Sequence, residues 1–254
     1  QSKAQFAMNG SAKKVADSTY QLTPNQSGKA GSVWDSTKLD ISQSFDISFN
    51  LRFGCSNSGA EGIAFVLQRN NDGLEALSGN PSNMGDRGDM LKSIAIEFDT
   101  DRDGVNDVAN DHVAIHQNGS QGLLLAGPET IYLDARDVED CGRHRVRIQY
   151  NANTNILVVY VDCQQRISEQ IDLLNDIFNG AKNVFLGFTA SNGSTNTAHL
   201  VEYLGDTRSL NFALDLAAIC PDTLDIKPEL DRNEFKDVTW QIEYKGNVVH
   251  TINK

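Results

Sequence analysis

The chain has 254 residues, 39% hydrophobic and 22% charged, which fits one globular domain because all-β domains often reach this length undivided. Twenty-two basic residues against 34 acidic ones give a net charge of −12, so the chain is poorly suited to nucleic acid or anionic lipid and well suited to cations. No apolar run approaches the roughly 18 residues of a membrane-spanning helix.

Alternation of apolar and polar residues with a period of two dominates the chain and predicts strands. The segments that show it are 45–53, 61–68, 92–99, 112–117, 122–126, 143–150, 155–162, 183–190 and 198–204. Turn-rich pieces separate them, such as 71–89 and 191–197. A short helix is predicted within 168–178. Many short strands joined by regular turns predict an all-β sandwich or jelly roll.

The composition changes after about residue 206, where two of the five prolines of the chain lie among charges of both signs. Residues 238–252 then form a hairpin pattern centred on Lys245-Gly246-Asn247. We therefore predict a sandwich over 1–205 and a C-terminal extension over 206–254. The extension is either an edge hairpin of the sandwich or the start of a further module.

Four cysteines lie far apart without a C-x-x-C pair, which argues against a zinc cluster. Cys141 and Cys163 flank the two strands predicted at 143–150 and 155–162, so they fall at the open end of that hairpin. This predicts a Cys141–Cys163 disulfide and leaves Cys55–Cys220 by elimination, with buried free thiols as the alternative. Disulfides would indicate an extracytoplasmic location.

The most acidic stretch is AIEFDTDRDGVNDVANDHVAI, residues 95–115. Its spacing partly matches an EF-hand calcium loop beginning at Asp99. However, Asn110 occupies the position of the bidentate glutamate, and the segment before the loop alternates like a strand. The EF-hand interpretation is therefore disfavoured.

A glycoside hydrolase is a second interpretation of the same stretch. On a strand, Glu97, Asp99 and Asp101 would project from one face as a row of carboxylates, as in laminarinase-like enzymes. The third member is an aspartate rather than a glutamate, and the chain has only two tryptophans with which to line a polysaccharide cleft.

A metal site is the third interpretation, and it uses all of the acidic residues. Carboxylate and backbone oxygens suit Ca²⁺, and a nearby imidazole suits Mn²⁺ or another transition metal. The candidate ligands are Glu97, Asp99, Asp101, Asp103, Asp107 and His112. No catalytic Ser or Cys arrangement accompanies them.

Several motifs between about Gly10 and Leu204 resemble, in order, those of the L-type lectins. This is the legume-lectin-like jelly roll also found in bacterial surface proteins and secretory cargo receptors. The motifs are AEGIAFVLQ (60–68), SIAIEFDT (93–100) with DHVAI (111–115), RHRVRIQYNANTNILVVYV (143–161) and VFLGFTASNG (184–193), preceded by STYQLTPNQSGKAGSVWDSTKLDISQSFDISF (18–49). The resemblance implies a concanavalin-like β-sandwich.

The resemblance also implies a role for each candidate metal ligand. Glu97 and His112 correspond to manganese ligands, and Asp99 and Asp107 to the aspartates that bridge manganese and calcium. Asp101 corresponds to the residue that gives its backbone carbonyl to calcium. Asp103 takes the place of an asparagine that binds both calcium and sugar.

The sugar site implied by the resemblance surrounds the calcium ion. Its residues would be Glu61, Gly88 (with Gly85 as the alternative), Asp103, Asn106, Asn192 and Gly193, the last two in the loop 191–196. Three positions depart from the family. Glu61 is longer than the usual aspartate, Asp103 cannot donate as an asparagine does, and Asp101 replaces a stacking aromatic residue.

These observations together predict a non-enzymatic, calcium-dependent carbohydrate-binding module of a secreted or cell-surface adhesin. Its partners would be glycans or glycoproteins. The alternatives are the glycoside hydrolase and a lectin-like fold that mediates protein contacts. The sequence indicates neither the glycan nor the oligomeric state.

Overall fold

The computed structural model describes residues 5–56, 60–77, 84, 90–101, 108, 110–119, 123–134, 136–206, 239–244 and 247–253. The chain divides into two compact units, 1–209 and 210–254. In the second unit, β16 (Thr239–Tyr244) pairs antiparallel with β17 (Asn247–Asn253). Among the described residues, none of the helices has the length and apolar character that crossing a membrane requires.

The first unit is a sandwich of two antiparallel sheets, which confirms the predicted fold class. One sheet has the order β1-β4-β14-β7-β8-β9-β10, with β5 paired to β14, and the other has the order β13-β12-β11-β6-β15-β3-β2. The strands are β1 (Phe6–Gly10), β2 (Lys13–Ala16), β3 (Thr19–Thr23), β4 (Lys29–Asp35), β5 (Leu39–Asp40), β6 (Phe45–Arg52), β7 (Gly62–Gln68), β8 (Ser93–Asp99), β9 (His112–Gln117), β10 (Leu123–Thr130), β11 (His144–Asn151), β12 (Ile156–Val161), β13 (Gln164–Gln170), β14 (Asn183–Asn192) and β15 (His199–Asp206).

The main core fills the space between the two sheets. Alternate residues of β6 point into it, and Phe49 meets two aromatic rings of the opposite sheet. Its ring centroid lies 5.7 Å from that of Phe65 and 4.8 Å from that of Phe188. Burying each such side chain contributes about 1.5–3 kcal/mol, so this contact helps to fix how the sheets face each other.

A smaller apolar cluster covers the outer face of the first sheet. It comprises Trp34, Ala64, Val66, Ala76, Met90 and Ala95. The indole N–H of Trp34 donates to the Ala76 carbonyl at 2.8 Å, which links β4 to the segment that follows β7. Strands β7 and β8 are therefore buried on both faces, and this explains their nearly continuous apolar sequence.

The disulfide prediction was wrong. Cys141 bonds to Cys55, and the two Cα atoms are 4.4 Å apart. In the sheet, β11 lies between β6 and β12. Cys141, which precedes β11, lies next to the residues that follow β6, and its N–H donates to the Gly54 carbonyl at 2.8 Å. Cys163 lies instead in the tight turn from β12 to β13 and is also disulfide-bonded. Cys220 lies outside the described residues.

The short helix predicted within 168–178 is present as a single turn. Strand β13 continues to Gln170, and one π-helical turn follows at Leu173–Ile177. Asp172 caps this turn by accepting a hydrogen bond from the Asn175 N–H.

Candidate functional site

Two neighbouring strands bring the central candidate ligands onto one face. In the antiparallel pair β8–β9, Asp99 lies opposite His112 and Glu97 lies opposite Ala114. Directly opposed residues project to the same side, as do residues two apart on one strand. Glu97, Asp99, His112 and His116 therefore share the outer face of the first sheet, next to the smaller apolar cluster.

The start of β7 lies close against the end of β8. Gly62 pairs with Asp99 and has a φ of +115°, and a Cβ on it would lie 2.2 Å from the Phe98 carbonyl oxygen. Only glycine fits this conformation and this approach. The Thr100 hydroxyl also donates to the Ala60 carbonyl at 2.6 Å. These contacts hold Glu61, only 8% exposed, beside the acidic segment.

The carboxylates on this face meet imidazoles. The Nδ1 atom of His116 lies 2.9 Å from Oε2 of Glu97, and Nε2 of His112 lies 3.9 Å from Oδ2 of Asp99. On the other side of the His112 ring, Nδ1 is 3.3 Å from the Asn110 carbonyl. A proton on Nδ1 would then leave the lone pair of Nε2 facing the carboxylates, as metal-binding histidines require.

The residues present fit a metal site. Glu97 is 3% exposed, and burying a carboxylate is costly unless a cation or hydrogen bonds compensate. The Asp101 N–H donates to Oδ1 of Asp99 at 2.9 Å, which curls the chain back after β8 and orients the Asp99 carboxylate. Two carboxylates and one imidazole nitrogen could hold Mn²⁺, and the oxygens around Asp99 could hold Ca²⁺.

Some of the predicted site residues lie outside the described residues, namely Gly85, Gly88, Asp103, Asn106 and Asp107. Those that the structure describes at this face are Glu61, Glu97, Asp99, Asp101 and His112.

The predicted role of Asn192 needs correction. Its side chain is fully buried, and its amide nitrogen lies 2.7 Å from the Pro24 carbonyl, 3.0 Å from that of Gln26 and 2.7 Å from that of Thr197. Its Oδ1 accepts from the Thr23 hydroxyl. The side chain therefore shapes the loop and is not available to a sugar.

Gly193 is likewise buried, and its carbonyl accepts a hydrogen bond from the Gly28 N–H at 3.0 Å. The residues that follow, 194–196, are exposed or partly exposed. Any ligand contact from this loop would therefore come from 194–196.

His116 shares a strand face with His112, and the sequence alone favours a surface or packing role for it, whereas the structure places it against Glu97. The signal for the shared face was the position of His116 four residues after His112 on an alternating strand, which places both rings on one side. Its pairing with Glu97 depends on the diagonal between β8 and β9, which only the strand register reveals.

The two-sheet sandwich thus carries carboxylates and a histidine at the end of two adjacent strands of the first sheet. The family model described as the legume lectin beta-barrel domain matches residues 1–203. The chain belongs to the L-type lectin family, whose members are carbohydrate-binding proteins without enzymatic activity. It is accordingly a lectin domain and not an enzyme.

Solved structures show the same fold. Lectin II from Ulex europaeus has a TM-score of 0.64 at 23% identity, covering 83% of this chain and 94% of that one. The metal-free lectin I-B4 from Griffonia simplicifolia has a TM-score of 0.62 at 20% identity, covering 81% and 93%. The Ca²⁺- and mannose-bound exoplasmic/lumenal domain of VIP36 has a TM-score of 0.61 at 18% identity, covering 89% of each chain.

Proposed function

We propose that this chain is a calcium-dependent glycan-binding module in which the outer face of β8 and β9 holds the metal. The observation that carries the proposal is the grouping of Glu97, Asp99 and His112 beside the buried Glu61. The VIP36 structure, a relative by fold, contains both Ca²⁺ and mannose. Manganese or another transition metal would be the second ion, bound by Glu97 and His112.

The metal would act by ordering the acidic segment before sugar arrives. Asp99 and Asp101 belong to this segment, and Asp103 and Asp107 are the further ligands we propose in it. A segment held by ions loses little conformational freedom on binding, so weak hydrogen bonds to sugar hydroxyls suffice for measurable affinity.

The sugar would lie between Glu61, the ion-bound segment and the exposed loop residues 194–196. The Glu61 carboxylate can accept hydrogen bonds from two sugar hydroxyls, while Asn106 and the N–H of Gly88 are the proposed donors. Because Glu61 is one methylene longer than aspartate, it would place those hydroxyls differently from the usual family arrangement.

The proposed setting is extracellular, secreted or on a cell surface, with glycans or glycoproteins as partners and adhesion as the role. The Cys55–Cys141 disulfide supports an oxidising compartment, since such bonds persist outside the reducing cytosol.

A glycan array probed with and without calcium tests this proposal. We expect retention of a defined set of glycans in calcium and its loss in a chelator. Asp99→Asn should lose the same spots, while Glu169→Gln should keep them, because Glu169 is exposed on β13 of the opposite sheet. If no glycan is retained by the calcium-loaded wild type, a protein-contact role replaces the lectin function.

A further inference from the structure

Three acidic side chains that are not among the candidate lectin ligands converge near the start of β9. Asp111 immediately precedes that strand, and Asp137 and Glu139 belong to the segment between β10 and β11. One oxygen of each carboxylate lies within 4.8 Å of the other two. We call these residues the Asp111 cluster.

Backbone contacts hold the two parts of the Asp111 cluster together. The Ile131 N–H donates to the Asp111 carbonyl at 2.9 Å, and the Val138 N–H donates to Oδ2 of Asp111 at 2.8 Å. The segment between β10 and β11 therefore folds around Asp111, and the position of Glu139 follows from this folding.

Glu139 is the unusual member. It is 4% exposed, and both of its carboxylate oxygens are buried and accept no hydrogen bond within the described part of the chain. Burial and the negative charges of Asp111, Asp137 and Asp101 raise the pKa of Glu139 from its usual 4.5 to about 9. A buried carboxyl that points at two other acids without a donor needs either a proton or a cation.

No cationic side chain among the described residues forms an ion pair with these three acids, Asp111, Asp137 and Glu139. Arg136, in the same segment, pairs with Asp134, and His144, whose charge acts on Asp111, contacts Asp140 and Asp162.

We infer that Asp111, Asp137 and Glu139 bind one divalent cation, Ca²⁺ by ligand chemistry, at a site separate from Glu97, Asp99 and His112. Three carboxylates supply the hard oxygen donors that Ca²⁺ takes, and no sulfur or imidazole nitrogen is among them. A bound ion would join the β10–β11 segment to the residue before His112. The ion of the Asp111 cluster would thus restrain the chain next to His112.

Calcium stoichiometry tests the inference with the whole chain. After chelation, wild type, Glu139→Gln, Asp99→Asn and the control Glu169→Gln are titrated with Ca²⁺ alone and bound calcium is measured by mass spectrometry. We expect Glu139→Gln to bind one ion fewer than wild type and Glu169→Gln to bind the same number. Asp99→Asn should retain the ion of the Asp111 cluster, so this inference and the proposed lectin site can fail independently.

The melting temperatures of the metal-free proteins serve as the control that each variant is folded. Glutamine resembles a protonated glutamate, so metal-free Glu139→Gln should melt no lower than metal-free wild type. If it does melt lower, Asp137→Asn, which removes a half-buried ligand, replaces it in the titration. Unchanged calcium stoichiometry and affinity in the folded variant would overturn the inference and identify Glu139 as a protonated carboxyl.

Discussion

Two groups of acids on this lectin differ in the side chains that surround them. On the outer face of β8 and β9, Glu97 lies 2.9 Å from a nitrogen of His116 and Asp99 lies 3.9 Å from one of His112. In the Asp111 cluster, the buried oxygens of Glu139 contact no donor among the described residues. The first group can take a transition metal through nitrogen, whereas the second offers oxygen alone. The difference suggests two kinds of ion in one domain.

The largest expected effect is the loss of glycan binding in Asp99→Asn. Removing one charge from the proposed bridging ligand weakens the binding of the ions that order the acidic segment. We therefore expect the affinity for an array-selected glycan to fall at least about tenfold. Isothermal titration with that glycan measures it. Glu139→Gln should lose less, because Glu139 is not among the proposed ligands of the lectin site. An equal loss would show that the two groups of acids form one site.

Gly62→Ala tests the close contact between the start of β7 and the end of β8, beside Asp99. Its Cβ would lie 2.2 Å from the Phe98 carbonyl oxygen at a φ of +115°, so we expect a loss of about 2 kcal/mol or more in the free energy of unfolding. Gly180→Ala is the matched control, since Gly180 has a φ of +81° but open space around it. Denaturant unfolding compares them, and equal losses would show that strain in φ alone matters.

The Asp111 cluster predicts a pH dependence in the metal-free protein. The pKa of Glu139 is about 9 in the folded chain against 4.5 as a free side chain, so between these values the unfolded chain binds fewer protons. The contribution of Glu139 to stability is therefore present below about pH 4.5 and is lost as pH rises toward 9. Melting in chelator should show this decline, and Glu139→Gln should flatten it. A decline of the same size in the variant would assign it to other groups.

His116→Gln should have the smallest effect. His116 pairs with Glu97 but is not among the proposed ligands, so we expect metal affinity to change by no more than about tenfold, the lower end for residues that orient ligands. Competition with a Mn²⁺ indicator measures the change, with Asp99→Asn titrated in the same way. A loss as large as that of Asp99→Asn would make His116 a ligand.

Much of the sandwich could be predicted from the sequence because most strands alternate between core and solvent. The predicted segments 45–53 and 143–150 correspond to β6 and β11 within one residue at each end. Strand β13 was missed because its polar sequence, QQRISEQ, buries only Ile167. The disulfide was predicted wrongly because the partner of Cys141 depends on the neighbour of β11 in the sheet, which local patterns do not contain.

In the candidate site, too, the sequence predicts some groupings of residues and not others. The grouping of Glu97, Asp99 and His112 was predictable because they lie close in sequence on two strands joined by one loop. The Asp111 cluster was not, since Asp111 and Glu139 meet only after β9 and β10 have paired and the following segment has folded back. The role of Asn192 was mistaken because nothing in the sequence distinguishes a buried loop amide from an exposed one.

The most direct test of the central claim is the linkage between calcium and glycan. The dissociation constant of one array-selected glycan would be measured over a series of free calcium concentrations. We predict that it falls as calcium rises and then levels off, and that the glycan tightens calcium binding by the same factor. A dissociation constant that is identical in calcium and in chelator would contradict the account.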